Sequence, residues 1–326
     1  MSVIDYVREF TNDRGNGRLP EIGIILAFFA VLPLFAASGY LLRVFTIIVV
    51  FALFTVALNI VFGHTDQLFL FVGGLAGMGA YTTVIAANSV GTTPWITLPL
   101  GVAIAGMIGG TVSYVAAKRK FTVILIAIFT LALQLTIMEL LTGARGVTGG
   151  SVGMPVQGVG IQSDIQFYYL FVAVLIGFLV VYARMIDSRY GLAFETIRQE
   201  ELAAEATGVD VVRYKVIAGT VGSLMIGFAG AVYAFWAGYI SPGTFSFLSI
   251  DVLVLIMLTL GGMRTLSGPV IGAIAVVSIE EILASYPQWR LVIFGTLLIV
   301  LYLNFRQGIV PNVKSAYRER FASESG

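Results

Sequence analysis

Ten long apolar runs constrain this chain more than any other feature of its sequence. Of its 326 residues, 58% are hydrophobic and only 11% are charged, whereas about a quarter of a soluble domain is charged. Inside a bilayer the backbone must satisfy its own hydrogen bonds, so runs of this length predict helices. We therefore predict an all-α, polytopic membrane helical bundle with about ten transmembrane spans, at residues 22–42, 44–62, 68–87, 95–117, 121–141, 167–184, 214–237, 247–262, 269–286 and 288–305.

The positive charges predict the orientation of these spans. If the N-terminus lies in the cytoplasm, the inner segments hold all but three of the 19 lysines and arginines. The three exceptions are Arg43, Arg145 and Arg290. The positive-inside rule expects this asymmetry. It predicts that both termini are cytoplasmic, with an N-terminal tail at 1–20, a transmembrane domain at 21–306 and a C-terminal tail at 307–326.

A polar segment, Ser188–Lys215, interrupts the apolar pattern. A charged block of this size cannot lie in hydrocarbon, where each ionised side chain costs several kcal/mol. We therefore expect a cytoplasmic loop at 185–213 between two spans.

This loop has the pattern of a short helix. Phe194, Ile197 and Leu202 fit one apolar stripe, Gly208 is placed to end the helix and Asp210 to cap the next one. Such a helix, carried on a loop between spans, is typical of a docking element.

A second loop, Thr142–Gln166, is rich in glycine and falls on the outer side in this topology. Glycine permits tight turns and close backbone approach. The residues leave two interpretations open: a flexible connector, or a surface that meets a partner outside the cell.

Asn59 and Gln134 are the polar side chains predicted to lie deepest in the membrane. We expect them to face the bundle interior and to form interhelical hydrogen bonds. The alternative is that they line a translocation path with Gly73 and Gly77, although dense glycine favours tight helix packing. The acidic residues Glu139, Asp251, Glu280 and Glu281 are predicted near span ends, where water reaches them.

His64 is the only histidine, and it lies two residues from Asp66 in the connection Gly63–Gln67. Local hydrogen bonding and a proton relay are both consistent with this pair, and the first is the commoner arrangement. One histidine and no cysteine exclude multi-histidine and thiolate metal sites.

The sequence lacks the motifs of common catalytic sites. No lysine follows a glycine, so no phosphate-binding P-loop is present. Neither a nucleophile elbow nor an HExxH zinc motif occurs. We therefore expect no enzymatic activity, no cofactor and no metal, and the net charge of +1 gives no reason to expect nucleic acid.

Four segments, in order along the chain, resemble the permease subunits of ATP-binding-cassette importers of the branched-chain amino acid type. They are more similar to the LivM-type subunit than to its LivH-type partner. Each segment alone is a weak signal, but the likeness extends over nearly all of 46–302. The segments are Gly63–Thr82, Ser188–Lys215, Gly227–Pro242 and Leu260–Gly272.

The resemblance implies a role for the polar loop. In importers of this class, a cytoplasmic loop helix enters a cleft on the ATPase subunit, and here a thin face of Ala203, Ala204 and Gly208 would enter it. The loop departs from the general importer pattern, because Leu202 stands where a glutamate is expected, six residues before Gly208. The residues that the resemblance implies for coupling are Arg198, Glu201, Ala203, Ala204, Glu205 and Gly208.

The resemblance also implies partners. These are two ATP-binding-cassette ATPase subunits, a second permease subunit in a heterodimer and an extracytoplasmic substrate-binding protein, in a prokaryotic plasma membrane with its lipid. It implies inverted-repeat-like halves and an ATP-driven importer of branched-chain, hydrophobic amino acids.

Other functions remain open at this point. Similar permeases carry urea and short amides. A stand-alone secondary transporter would need ionisable residues at mid-span, and a non-transporting scaffold is a third possibility.

Overall fold

The structure, a computed structural model, describes residues 18, 20–35, 38–284, 295–296 and 308–312. Almost every element in these ranges is helical, which confirms the all-α prediction. Within these ranges, one strand pair joins β1 (Met154–Pro155) to β2 (Tyr239–Ile240). The helices are α1 (Pro20–Phe35), α2 (Gly39–Leu58), α3 (Val72–Val90), α4 (Pro94–Lys118), α5 (Val123–Gly143), α6 (Arg145–Thr148), α7 (Asp164–Ile186), α8 (Arg189–Gln199), α9 (Glu201–Ala206), α10 (Val211–Ala237), α11 (Val252–Gly261) and α12 (Gly268–Leu283).

Five of the described helices are long and apolar enough to cross a membrane: α2 with the π-helical turn Asn59–Gly63 that extends it, α4, α5, α7 and α10. Two shorter apolar segments are α1 and Phe247–Gly261, which consists of a π-helical turn followed by α11. Helices α3 and α12 coincide with two further predicted spans. The chain is thus a multi-pass membrane protein, and the count of ten remains a prediction, because the last run, 288–305, lies almost wholly outside the described residues.

The third predicted span begins later than expected. The run 68–87 was predicted to be helical throughout, but the chain is non-helical from Asp66 to Phe71 and α3 starts at Val72. Asp66 adopts a left-handed φ of +52°, which interrupts the helix. Side chains from other helices satisfy this backbone, as described below.

Close helix packing in the core depends on glycine, as the sequence predicted. Helix α10 packs most extensively against α4 and α3. A Cβ added to Gly79 would lie 2.4 Å from the Gly227 carbonyl oxygen, and one added to Gly101 would lie 2.3 Å from the Gly79 oxygen. Only residues without a Cβ allow backbones to approach so closely.

The glycine-rich loop is fixed to the ends of two helices. Strand β1 pairs antiparallel with β2, so that Met154 faces Ile240. Trp95 at the start of α4 donates its indole N–H to the Val159 carbonyl at 2.8 Å. These contacts argue against a purely flexible connector.

Candidate functional site

The polar loop folds into two short helices whose ends the sequence specifies. Ser188 caps α8 by accepting a hydrogen bond from the Tyr190 N–H at 3.2 Å. Gly208 follows α9 with a φ of +86°, and Asp210 caps α10 by accepting from the Arg213 N–H at 3.0 Å. The predicted roles of Gly208 and Asp210 are confirmed.

The apolar stripe of the loop is shorter than predicted. Phe194 and Ile197 are buried, but Leu202 is 67% exposed. The reason is that Glu200 is extended, with φ −162° and ψ 112°, so the helix breaks and α9 leaves in a new direction. Including Leu202 in the stripe was therefore wrong.

Ala204 faces inward instead of outward. It is fully buried in a small cluster with Ile197 and Val211. Its neighbours Ala203 and Gly208 are exposed. The thin face predicted from Ala203, Ala204 and Gly208 thus loses Ala204, which holds α9 against α8 and α10.

Two ion pairs fix α9 to the ends of transmembrane helices. Glu201 pairs with Lys215 near the start of α10, and Glu205 pairs with Lys120, after α4, at 3.0 Å. Both carboxylates that flank Leu202 therefore already have partners within the chain. Arg198 lies apart from them and lines a separate pocket with Arg18, His64 and other residues.

Lys215 also contacts the non-helical segment Asp66–Phe71, which we call the unwound segment. Its backbone carbonyl accepts a hydrogen bond from the side-chain amide of Gln67 at 3.0 Å. Gln67 is fully buried and donates as well to Thr65. A continuous set of contacts therefore joins Glu201, Lys215 and Gln67.

Helix α5 satisfies the backbone of the unwound segment. The Thr130 hydroxyl accepts from the Leu70 N–H at 2.9 Å and lies 3.3 Å from the Leu68 carbonyl. Buried backbone groups without a partner are costly, so irregular chain inside the bundle needs such partners. Gln134, one turn along α5, continues the same polar stripe.

Gln134 and Asp251 cap the start of α3. The Gln134 side chain accepts from the Gly74 N–H and donates to the Phe245 carbonyl at 2.8 Å. The Asp251 carboxylate accepts from the Val72 N–H at 2.5 Å. A carboxylate is favourable at a helix N-terminus. Because Asp251 is 1% exposed, its predicted contact with water was wrong: the backbone of α3 takes the place of solvent.

Asn59, in the π-helical turn that extends α2, bonds to the backbone of a different segment. Its side chain accepts from the Arg264 N–H at 2.9 Å and donates to the Thr265 carbonyl at 3.0 Å. It thereby ties the end of α2 to the connection between α11 and α12. The predicted interhelical hydrogen bond is confirmed for Gln134, whereas Asn59 is buried as predicted but bonds to a connection between helices.

Gly73 and Gly77 lie on the side of α3 that packs against Phe245. A Cβ on Gly73 would lie 2.4 Å from the Phe245 carbonyl, and one on Gly77 would lie 3.4 Å from the Phe245 Cβ. Neither they nor Asn59 and Gln134 line the largely apolar cavity of about 290 Å³ between α2, α10 and residues 244–250. A path role for these four residues stays a hypothesis.

His64 has a distant partner, so the local hydrogen bond expected from the sequence was wrong. Its Nε2 lies 2.7 Å from the Tyr182 hydroxyl on α7. Asp66 instead lies 3.7 Å from Arg264. Burial, followed by the charges of Arg264, Arg18 and Arg198, lowers the pKa of His64 to about 3, so a proton relay at neutral pH has no support here.

Comparison with known families agrees with this architecture. The family model described as "Branched-chain amino acid transport system / permease component" matches residues 40–302. The chain belongs to this permease family.

Individual relatives cover most of the chain at low identity. The high-affinity branched-chain amino acid transport system permease protein LivM of Escherichia coli K12 is 24% identical, over 93% of this chain and 77% of its own length. The probable branched-chain amino acid permease LivH of Methanocaldococcus jannaschii is 24% identical over 66% of this chain and 70% of its own length. The autoinducer 2 import system permease LsrC of an Enterobacter species, strain 638, is 25% identical over 94% and 92%.

Sequence reasoning missed three residues of this permease site. Thr130 binds the backbone of the unwound segment, and Asp251 caps α3. Lys215 joins the unwound segment to α9. A lysine near the start of an apolar helix was a visible signal, but its burial was not. Thr130 gave no signal, because a threonine inside an apolar run usually bonds to its own helix.

Proposed function

We propose that this permease is the transmembrane subunit of an ATP-driven importer, and that α8 and α9 couple it to a separate ATPase. The observation that carries the proposal is the contact path from the exposed helix α9, through Glu201 and Lys215, to Gln67 in the unwound segment. A partner that moves α9 would thus act on irregular chain inside the bundle. Family membership supports the same conclusion, since the family model is named for a transport system.

The exposed face of α9 has the properties of a docking surface. Leu202, Ala203 and Ala206 are exposed, while Ala204 on the opposite face is buried. Small side chains beside one exposed leucine suit insertion of a helix into a groove. The ion pairs of Glu201 and Glu205 would hold α9 in position for this contact.

The unwound segment is suited to a change of conformation. Its backbone is bonded to side chains from α5 instead of to a continuous helix. Discontinuous helices are a recurring way for transporters to build movable segments near their substrate paths. We propose that pulling on Gln67 through Lys215 changes how Thr130 and Gln134 hold this segment, and that Asn59, Gln134, Gly73 and Gly77 lie along the path as it opens.

The proposed assembly contains two ATPase subunits, a second permease subunit and an extracytoplasmic binding protein. Similarity to both LivM and LivH proteins supports a pair of related permeases. In this assembly both termini are cytoplasmic, about ten spans cross the plasma membrane and the two halves are related as inverted repeats. The proposed path lies between the permeases and opens alternately to each side.

A branched-chain amino acid is the cargo that we favour. The cavity of about 290 Å³ is lined by apolar side chains with a few hydroxyls, including Tyr233, Thr244 and Ser249. Such a lining favours a neutral or zwitterionic molecule with an apolar part. Uptake assays with leucine, urea and acetamide, each with its own binding protein, would distinguish the candidate cargoes.

The alternative with a specific observation behind it is a stand-alone secondary transporter, since Asp251 is an acidic residue buried inside the bundle. Its carboxylate, however, is occupied by the backbone N–H groups of Val72 and Gly73. Ion-driven uptake by this chain alone in liposomes would favour the alternative over the importer.

One pair of variants tests the docking surface. Ala203→Trp adds bulk to the exposed face of α9, and Val152→Trp adds it to the glycine-rich loop, where Val152 is 73% exposed. We expect co-purification with the ATPase to be lost only in Ala203→Trp. Equal retention in both variants would reject the docking role of α9.

Sidedness can be tested separately. The chain has no cysteine, so Ala203→Cys creates a single labelling site. We expect labelling only from the cytoplasm. Labelling from outside the cell would contradict the whole proposal, because α9 could not then meet a nucleotide-driven partner.

A further inference from the structure

A basic pocket opens beside α8, on the same side of the bundle as α9. It has a volume of about 210 Å³, and its lining includes three guanidinium groups, those of Arg18, Arg198 and Arg264, against one carboxylate, Glu195. No ion pair engages Arg198 within the described ranges, and it is only partly exposed. The pocket therefore holds a cationic group that is available to an anion.

The other two arginines are partly committed. Arg18 pairs with Asp187 at 2.8 Å. Arg264 donates from its Nε to the Gly63 carbonyl at 2.8 Å and lies 3.7 Å from Asp66 through Nη2. The geometry leaves other N–H groups of Arg264 to share with a ligand. The positive charge of the pocket also acts on His64: after burial, the charges of the three arginines are the next causes that lower its pKa.

An apolar groove has its first lining residues three positions after Arg18 and Arg264 of the basic pocket. The groove, about 380 Å³ in volume, lies between α1 and α12. Its first residues are Glu21 and Ser267, which are joined by a 2.6 Å hydrogen bond. Glu21 lies three residues after Arg18 and Ser267 three residues after Arg264, so the linings of the pocket and the groove are neighbours along the chain on both walls. The carboxylate of Glu21, accepting from Ser267, marks the border between them.

Beyond that border the groove lining is apolar on both helices. It is formed by Ile24, Ile25, Phe28 and Phe29 of α1 and by Val270, Ile271 and Ile274 of α12. From Glu21 to Phe28, and from Ser267 to Ile274, each wall rises seven residues, or about 10 Å. That length matches part of an acyl chain.

We infer that the basic pocket and the apolar groove together bind one anionic phospholipid. Its phosphate would lie by Arg198 and Arg264, and one acyl chain would lie between α1 and α12. Charge complementarity selects an anionic headgroup, and the groove, which is apolar beyond Glu21 and Ser267, selects a chain over a soluble anion. The site would clamp α8 to α1 and to the connection before α12, and so would influence the mobility of the loop that carries α9.

The experiment uses the full-length chain in detergent, with phosphatidylglycerol or phosphatidylcholine added in defined amounts. Native mass spectrometry counts the lipid that remains bound. We expect preferential retention of phosphatidylglycerol, weakened about fivefold by Arg198→Gln, the change expected for loss of one basic contact. Arg119→Gln removes an exposed arginine after α4 that is not in the pocket lining, and should leave retention unchanged.

Two further arms separate the possible occupants. Ile274→Trp fills the groove while leaving the arginines in place, and should reduce retention of phosphatidylglycerol; gel filtration checks that the variant is folded. If inorganic phosphate displaces the lipid from the wild type and Ile274→Trp has no effect, the site binds a free anion and the lipid inference is overturned. Equal retention of both lipids, or an equal effect of Arg198→Gln and Arg119→Gln, would also overturn it. None of these readouts needs an ATPase, so they are independent of the proposed coupling.

Discussion

Lys215 of α10 and Glu201 of α9 form an ion pair in which the lysine side chain is 6% exposed and the glutamate side chain is 43% exposed. The lysine is thus part of the transmembrane bundle, whereas the glutamate belongs to the loop. Their contact is the point where the loop meets the bundle. The contact path extends from this ion pair into the bundle, because the Lys215 carbonyl accepts a hydrogen bond from Gln67.

Glu201→Gln and Lys215→Met should separate stability from coupling. Glu201→Gln leaves a buried ammonium without its carboxylate and should destabilise the protein by about 1 kcal/mol, a small value because Glu201 is partly exposed. Lys215→Met removes the buried charge as well, so stability should return while the link to α9 stays broken. Thermal unfolding and the ratio of ATP hydrolysed to substrate transported would measure the two effects. A normal ratio in Lys215→Met would exclude the pair from coupling.

Gln134→Leu should destabilise the protein more than the small change in side-chain volume alone would. It leaves the Gly74 N–H and the Phe245 carbonyl buried without their partner, and each such group costs about 1–3 kcal/mol. Thr136→Val on the same helix is the control, since Thr136 is exposed and bonds only to the Ala132 carbonyl of its own helix. Thermal unfolding in detergent should show a large loss for the first variant and little for the second. Similar midpoints would show that water replaces the amide.

The sequence was sufficient where structure is determined locally. Gly208 and Asp210 act on backbone groups within a few residues, so their types and spacing predicted their roles. Most spans were also located to within a few residues, because a long run of apolar side chains directly indicates a membrane-spanning helix.

The features that the sequence did not predict depend on contacts between segments that are far apart in the sequence. Residues 68–71 are as apolar as a helix, and they remain unwound because Thr130, about 60 residues away, satisfies them. His64 binds Tyr182 across 118 residues. Hydrophobic periodicity carries no information on such pairs, and it could not show that Glu200 turns Leu202 out of its stripe.

The protein should tolerate Asp251→Asn better than Asp251→Leu. Asparagine keeps one oxygen that can accept from the Val72 N–H, whereas leucine leaves the first N–H groups of α3 unsatisfied. We expect transport and thermal stability to fall in the order wild type, Asp251→Asn, Asp251→Leu. Glu139→Gln is the control, since Glu139 is an exposed acidic residue on α5. If Glu139→Gln proved as harmful as Asp251→Leu, loss of charge and not loss of the cap would be responsible.

The lowered pKa of His64 predicts that the protein loses folding stability in mild acid. Its pKa is lowered to about 3 in the folded chain from a usual value of 6.5, so the unfolded chain binds a proton that the folded chain does not. Folding stability from this group is therefore fully present above pH 6.5 and declines as the pH falls towards 3. The unfolding temperature of the wild type should drop between pH 7 and 5 more steeply than that of His64→Gln, which has no such group. Parallel pH profiles would show that His64 titrates normally.

Gly208→Ala and Gly160→Ala provide a matched pair of variants. Both glycines have left-handed φ values, +86° and +78°, and open space around the missing Cβ. Each substitution should therefore carry a similar backbone strain of about 1 kcal/mol. Gly160 lies in the glycine-rich loop and Gly208 directly after α9, so only Gly208→Ala should displace α9. We expect similar unfolding temperatures for the two variants but loss of ATP-coupled uptake in Gly208→Ala alone. If uptake fell equally in both, strain itself would be the cause, and the position of α9 would not matter to transport.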